Sequence, residues 1–175
     1  MIYADPPWSF NNKKTGGSMM SGAAAQYTTM TVNDICALAP MVNDLADDNC
    51  ILFMWWVGSQ PEEALKVMKA WGFKLKTMTG FTWVKQTSKG NDFFGMGFWT
   101  RSGSENCLIA TRGKIKRVSA SVRSVIHAPI EEHSTKPNVF REEIVRLMGD
   151  VPRIELFARQ KALGWSSWGN EIKND

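Results

Sequence analysis

The sequence predicts an α/β protein with a mostly parallel sheet and helices on both faces. Three observations carry this. Short apolar runs of strand character alternate with helical patterns along the whole chain. The strongest run, Cys50 to Val57, is continuously apolar, as a central strand covered on both faces requires. The 175 residues contain no internal repeat, linker or low-complexity tail, which suits one domain over 1–175. A chain of that size buries roughly 70% of its unfolded surface, so its core needs no covalent staples.

Ile2 to Ala4 reads as a short buried strand that delivers Asp5, Pro6, Pro7 and Trp8. Asp5 then sits at the C-terminal end of a strand, where ligands gather in open α/β sheets. The two prolines fix two φ angles and restrict the residue before each, so the segment is stiff. Its carbonyls are expected to lack neighbouring N–H partners and to face a ligand, with Trp8 as a flat wall beside them. This set suits an exocyclic amino group on a nucleobase. A carboxylate and a carbonyl accept its N–H bonds and favour a nitrogen whose lone pair is free to attack. The plainer reading is a turn that ends a strand.

Residues 9–25 carry Lys13, Lys14, Gly16, Gly17 and Gly22 and read as a loop placed to cover that site, ending at Tyr27. Thr31 is the N-cap of a short helix with Asp34 in its first turn; the helix runs to about Leu38 and stops before Pro40. After the central strand, Pro61 opens a helix with Ala64, Leu65, Met68 and Trp71 near one face and Gly72 as the cap. Phe73 to Val84 is a strand with weak alternation near Thr77. Lys85 to Gly103 is a second long loop. Glu105 to Ala110 and Ser124 to Ile126 are strands, Glu131 to Pro137 is a polar loop, and Val139 to Met148 is a helix. Arg153 to Phe157 is a strand, and Gly164 to Ile172 closes as a loop and a short edge strand.

The second loop sets Phe98 and Trp99 among Lys85, Lys89 and Arg101. Aromatics between basic residues suit base stacking and phosphate contact; they also suit anchors that pack a long loop onto the body. Lys85, Phe98, Trp99 and Arg101 are the candidates for substrate binding. Between Arg112 and Arg123 stand Lys114, Lys116 and Arg117 with no acid, a cluster fit for phosphates or for a solvated loop.

Other classes are disfavoured. Cys36, Cys50 and Cys107 are scattered and odd in number, with no C-x-x-C pair, so neither a disulfide framework nor a metal site is expected. No apolar run reaches 18 residues, and the sequence opens on a strand rather than a leader; a cytoplasmic protein without membrane contact is expected. A G-x-G-x-x-G loop is absent, which points away from a dinucleotide and toward a cofactor without a pyrophosphate.

Several motifs in order resemble the MT-A70 family of S-adenosylmethionine-dependent adenine-N6 methyltransferases of DNA and RNA. They are Asp5-Pro6-Pro7-Trp8, Tyr27-Thr28-Thr29-Met30, Trp83-Val84-Lys85 and Glu105-Asn106-Cys107-Leu108, then Ser134-Thr135-Lys136-Pro137, Glu155-Leu156-Phe157-Ala158-Arg159 and Gly164-Trp165 through Trp168-Gly169-Asn170-Glu171. The resemblance covers almost the whole chain and is closest to the compact phage or prophage type. It implies a Rossmann-like methyltransferase fold, permuted so that the catalytic motif precedes the cofactor strand. It also implies that Asp5 and the Pro6 carbonyl hold the target amino group, within the catalytic motif completed by Pro7 and Trp8, while Trp8 and Tyr27 wall the adenine. Lys136 is expected to pair with the cofactor's carboxylate. Asp5, Glu155, Phe157, Arg159, Asn170 and Glu171 are expected to complete the S-adenosylmethionine site, with 9–25 and 133–137 as gating loops. Family members usually carry an acidic group ahead of the catalytic strand that helps to hold the cofactor's adenine; here that contact is expected to be missing or to come from elsewhere. No separate target-recognition domain is seen, so specificity is expected to be short, relaxed or supplied by a second subunit. DNA, including single strands, is the expected partner; RNA, cytosine N4 as the target, and a silent nucleic-acid-binding subunit of the same fold are the alternatives.

Overall fold

The structure, a computed structural model, describes residues 1–9, 29–97, 99–131 and 135–172. Tyr27, Phe98 and His133, and all of the first loop except Ser9, lie outside the described residues. The described strands are β1 (Ile2–Ala4), β2 (Cys50–Trp56), β3 (Lys74–Gln86), β4 (Ser104–Arg112), β5 (Val125–Pro129), β6 (Ile154–Leu156) and β7 (Ser166–Trp168). They form one sheet in the order β5-β3-β4-β2-β1-β6-β7. The helices are α1 (Val32–Ala37), α2 (Ala39–Leu45), α3 (Pro61–Ala70) and α4 (Val139–Met148).

Four strand pairs are parallel, and the two that involve β4 with β2 and β3 are antiparallel. β4 alone therefore runs against the rest. Its reversal brings its first residues to the rim where β1 and β2 end, since Asn106 lies opposite Trp56. This reversal decides which side chains meet at the site.

Strand alternation divides the core in two. Ile2, Ala4, Leu52 and Met54 face α1, α2 and α3 through Ile35, Val42, Val67 and Met68. Tyr3, Ile51, Phe53 and Trp55 face α4 through Phe140, Ile144 and Met148. Helices thus cover both faces, and the unbroken apolar run of β2 supplies both cores. The ring of Phe140 meets Trp55 edge-on at 4.9 Å, an arrangement worth about 0.5–1.5 kcal/mol beyond its burial. The indole N–H groups of Trp8, Trp55, Trp56, Trp71 and Trp83 each donate to an oxygen, so these tryptophans bury without an unmet donor.

The local signals hold where side chains close their own backbone. Thr31 and Asp34 form a reciprocal capping box at α1. Gly72, at φ 82, follows the cap residue Trp71 of α3 in the left-handed region. Near Thr77 the register of β3 against β4 shifts, the physical counterpart of its weak alternation. Pro40 does not end the helical region. It stands in the first turn of α2, where its missing N–H costs nothing. β3 also runs on to Gln86, so Lys85 belongs to a strand and the second loop starts after it.

Candidate active site

β1 is flanked by β2 and β6, with Ala4 level with Met54 and Leu156. The Asp5 N–H donates to the Leu156 carbonyl at 3.4 Å, which fixes where the chain leaves the sheet. The next two carbonyls correct the sequence reading. The Pro6 carbonyl accepts the Trp8 N–H at 2.8 Å, and the Pro7 carbonyl accepts the Met30 N–H at 2.9 Å. The prolines withhold their own N–H groups, but the segment folds back on itself and borders Met30. Each carbonyl keeps a second lone pair. Trp8 is buried, and its Nε1 donates to the Trp55 carbonyl at 3.1 Å, so it is a fixed wall.

Above this segment lies a cavity of about 270 Å³. Asp5, Pro6, Trp8, Trp55 and Trp56 line it together with Lys85, Ser104, Glu105, Lys136 and Arg159. Four charges alternate across it. Lys85 Nζ is 2.6 Å from Glu105 Oε1, Glu105 Oε2 is 3.2 Å from Lys136 Nζ, and Lys136 Nζ is 2.7 Å from Asp5 Oδ2. Lys136 also lies over the Trp55 ring at 5.3 Å. Burial alone would push the Glu105 carboxyl up, but the Lys136 and Lys85 ammonium groups outweigh it and hold the group at about 2. Burial would likewise lower Lys136, but Asp5 and Glu105 hold it well above the ordinary lysine range. Lys136 is a charged group locked between two carboxylates.

The remaining expected cofactor residues separate. Arg159 reaches the cavity. Phe157 follows β6 with φ 60, a left-handed backbone that is uncommon for a bulky residue. Its ring lies against Trp168 at 5.4 Å and near-parallel to Trp71 at 6.5 Å. Asn170 and Glu171 stand exposed in the turn after β7. Glu155 is a correction. It is buried on the α4 face, and Arg141 donates to both its oxygens at 2.7 Å. That carboxylate is an internal partner of α4 and does not reach the cavity.

Of the substrate candidates, Lys85 lines the cavity and also sits over the Trp83 ring at 5.2 Å. Trp99 is fully exposed, so it anchors nothing, and among the described residues Arg101 donates within its own loop, to Met96. Ser102, at the loop's base, lines the cavity. The basic segment lies elsewhere. Arg112 pairs with Cys50 at the start of β2, at the far end of the sheet from Asp5. Its guanidinium donates to the Asp47 and Ala46 carbonyls and to Asn43, which makes it a clamp on the end of α2. Among the described residues no cluster of three potential metal-binding side chains occurs, and no helix is long and apolar enough to cross a membrane.

Glu105 is the charged residue of the cavity that sequence reasoning passed over, and Trp55, Trp56, Ser102 and Ser104 were passed over with it. A signal existed. Two strands joined through one loop, with Lys85 near the end of the first and Glu105 near the start of the second, form a hairpin that brings the two side chains together.

Comparison with known proteins adds to this geometry. The MT-A70 family model matches residues 1–171. A type II methyltransferase, M.MunI from Mycoplasma sp, is 31% identical over 100% of this chain and 78% of its own length. An N(6)-adenosine-methyltransferase MT-A70-like protein of Arabidopsis thaliana is 28% identical over 98% of this chain and 23% of its own. A protein of the same description from Drosophila melanogaster is 28% identical, with 98% and 26% coverage. The chain thus spans about a quarter of these two eukaryotic relatives.

Proposed function

The chain belongs to the MT-A70 family, and from that premise we propose that it transfers a methyl group from S-adenosylmethionine to the N6 amino group of adenine in DNA. The observation that carries the reading is Asp5 at the end of β1. It is held by Lys136 and opens on a cavity walled by Trp8, Trp55 and Trp56.

S-adenosylmethionine is the methyl donor of this family and supplies an electrophilic methyl group on a sulfonium. The residues present fit such a molecule in kind. The cavity offers the Asp5 carboxylate for its positive groups, Lys136 and Arg159 for its carboxylate and ribose, and indole walls for its apolar parts. Asp5 accepts an N–H of the adenine amino group, and the Pro6 carbonyl uses its second lone pair for the other. Both bonds favour a pyramidal N6 with its lone pair directed at the methyl group. Trp8 walls the base, which must be single-stranded or extruded from a duplex to reach the cavity. Asp5 acts by orientation and charge, so it need not be a strong base. Trp99 and Arg101 on the outer loop suit contact with the flanking strand.

DNA is favoured because the relative matched over 78% of its length is a type II methyltransferase. RNA is the second reading, favoured by the adenosine methyltransferases matched over shorter shares. One experiment separates them: transfer of labelled methyl from S-adenosylmethionine to matched single-stranded DNA, duplex DNA and RNA, followed by digestion to nucleosides. N6-methyldeoxyadenosine as the main product is expected. N6-methyladenosine from RNA alone would move the assignment to RNA, and label on cytosine would end the adenine reading.

A further inference from the structure

We infer that Glu105 is a positioning residue for the transfer reaction: it fixes Lys136, and through Lys136 the carboxylate of Asp5. This deepens the proposed function and rests on it for the role of Asp5.

The geometry is specific. Lys136 stands on the loop between β5 and α4, while Asp5 stands at the end of β1, near the middle of the sheet. No backbone ladder joins these two segments. Lys136 reaches Asp5 with one N–H at 2.7 Å and Glu105 with another toward 3.2 Å. One acceptor alone would let the ammonium swing on its four-carbon stem; two acceptors on different strands fix its position. Glu105 is itself fixed. Its backbone lies opposite Trp83 in the β3–β4 ladder, and its other oxygen is taken by Lys85, two residues further along β3. The sheet thus holds Glu105, Glu105 holds Lys136, and Lys136 holds Asp5. The groups facing Lys136 are Asp5 from β1, Glu105 from β4 and the Trp55 ring from β2, the Cys107 thiol of β4 lies within its electrostatic reach, and Lys85 of β3 stands behind Glu105. The two lysines hold the Glu105 carboxyl well below the usual carboxylate range, which keeps it an ionised acceptor at neutral pH.

The test uses Glu105→Gln, which keeps the shape and removes the charge, and Glu105→Asp, which keeps the charge on a shorter stem. With the best nucleic acid substrate, Glu105→Gln is expected to lower kcat at least tenfold. The KM for nucleic acid should stay within twofold, and Glu105→Asp should recover part of the loss. A second readout needs no turnover. In protein labelled with ¹⁵N on lysine side chains, the clamped Lys136 ammonium should give a slowly exchanging signal, assigned by its absence in Lys136→Met. That signal should broaden or vanish in Glu105→Gln and persist in Glu105→Asp. An unchanged kcat, an aspartate variant no better than the glutamine one, or an ammonium signal unmoved by Glu105→Gln would overturn the inference. If the wild type methylates no nucleic acid, the proposed function fails, while the ammonium signal still decides whether Glu105 fixes Lys136.

Discussion

Lys136 and Asp5, 131 positions apart in the sequence, meet at 2.7 Å between Nζ and Oδ2. The pair joins a loop at one side of the sheet to a strand end near its middle, and it makes Asp5 a charged acceptor of fixed direction. Asp5→Asn keeps the shape and removes the charge. Methyl transfer should fall at least a hundredfold, the order seen when one preorganised charge-stabilising group is lost. Nucleic acid affinity, measured by fluorescence anisotropy, should change less than threefold. Wild-type transfer by Asp5→Asn or Asp5→Ala would remove Asp5 from the mechanism.

Trp99 is fully exposed on the loop beside the cavity. Trp99→Ala should leave the thermal midpoint unchanged and weaken binding to a single-stranded oligonucleotide by about 1–3 kcal/mol, the value of one base–aromatic stack. Anisotropy titration measures it. A fall in thermal stability instead would mean that the ring packs on the protein.

The Arg141–Glu155 pair is a buried fork between α4 and β6. Arg141→Met alone leaves a buried carboxylate without its partner and should cost about 3–5 kcal/mol in urea unfolding. Changing both residues to apolar side chains of similar volume should recover most of that loss. Equal losses in the single and double variants would show that the pair itself carries the stability.

Glu105 gives a pH signature. Its carboxyl sits at about 2 in the folded protein against an ordinary 4.5. A depressed carboxyl contributes stability that is fully present above about 4.5 and is lost as pH falls toward 2. The thermal midpoint of the wild type should drop through that window, and that of Glu105→Gln should drop less. Solvent reaches about 31% of the side chain, so screening trims the difference. Parallel curves for the two proteins would assign the acid transition to other carboxylates.

Gly169 has no room for a side chain: a Cβ there would collide with the carbonyl oxygen of Ala158. Gly169→Ala should push the end of β7 away from the residues after β6, and with it Asn170. Lower thermal stability together with weaker S-adenosylmethionine binding by calorimetry is expected. An unaffected binding constant would separate Asn170 and Glu171 from the cofactor.

The elements legible in the sequence were those that local chemistry specifies. The Thr31–Asp34 box, the apolar run of β2, the bounds of α4 and the strand before Asp5 all depend on neighbours in sequence. What escaped depends on partners far away. Pro40 reads equally as a stop or a start until the packing of Val42 chooses the second. Glu155 was expected at the cofactor site from the family resemblance; Arg141, fourteen positions earlier, claims it instead. The Pro6 and Pro7 carbonyls looked free because prolines donate nothing, but Trp8 and Met30 donate to them. Glu105 was passed over because its role follows from the antiparallel direction of β4, which the sequence signals only through the loop that joins it to β3.

The placement of β1 between β2 and β6 has a consequence for biosynthesis. Ile2 pairs with Ile154, and Asp5 with the carbonyl of Leu156, so the strand made early is completed by one made about 150 residues later. At ribosomal rates that interval is about 8–30 s. Until then β1 lacks one neighbour, and Asp5 lacks the backbone contact that fixes where the chain leaves the sheet. A nascent or prematurely terminated chain that stops before β6 therefore carries the Asp5 motif on a strand with one neighbour missing and without the contact that aims it.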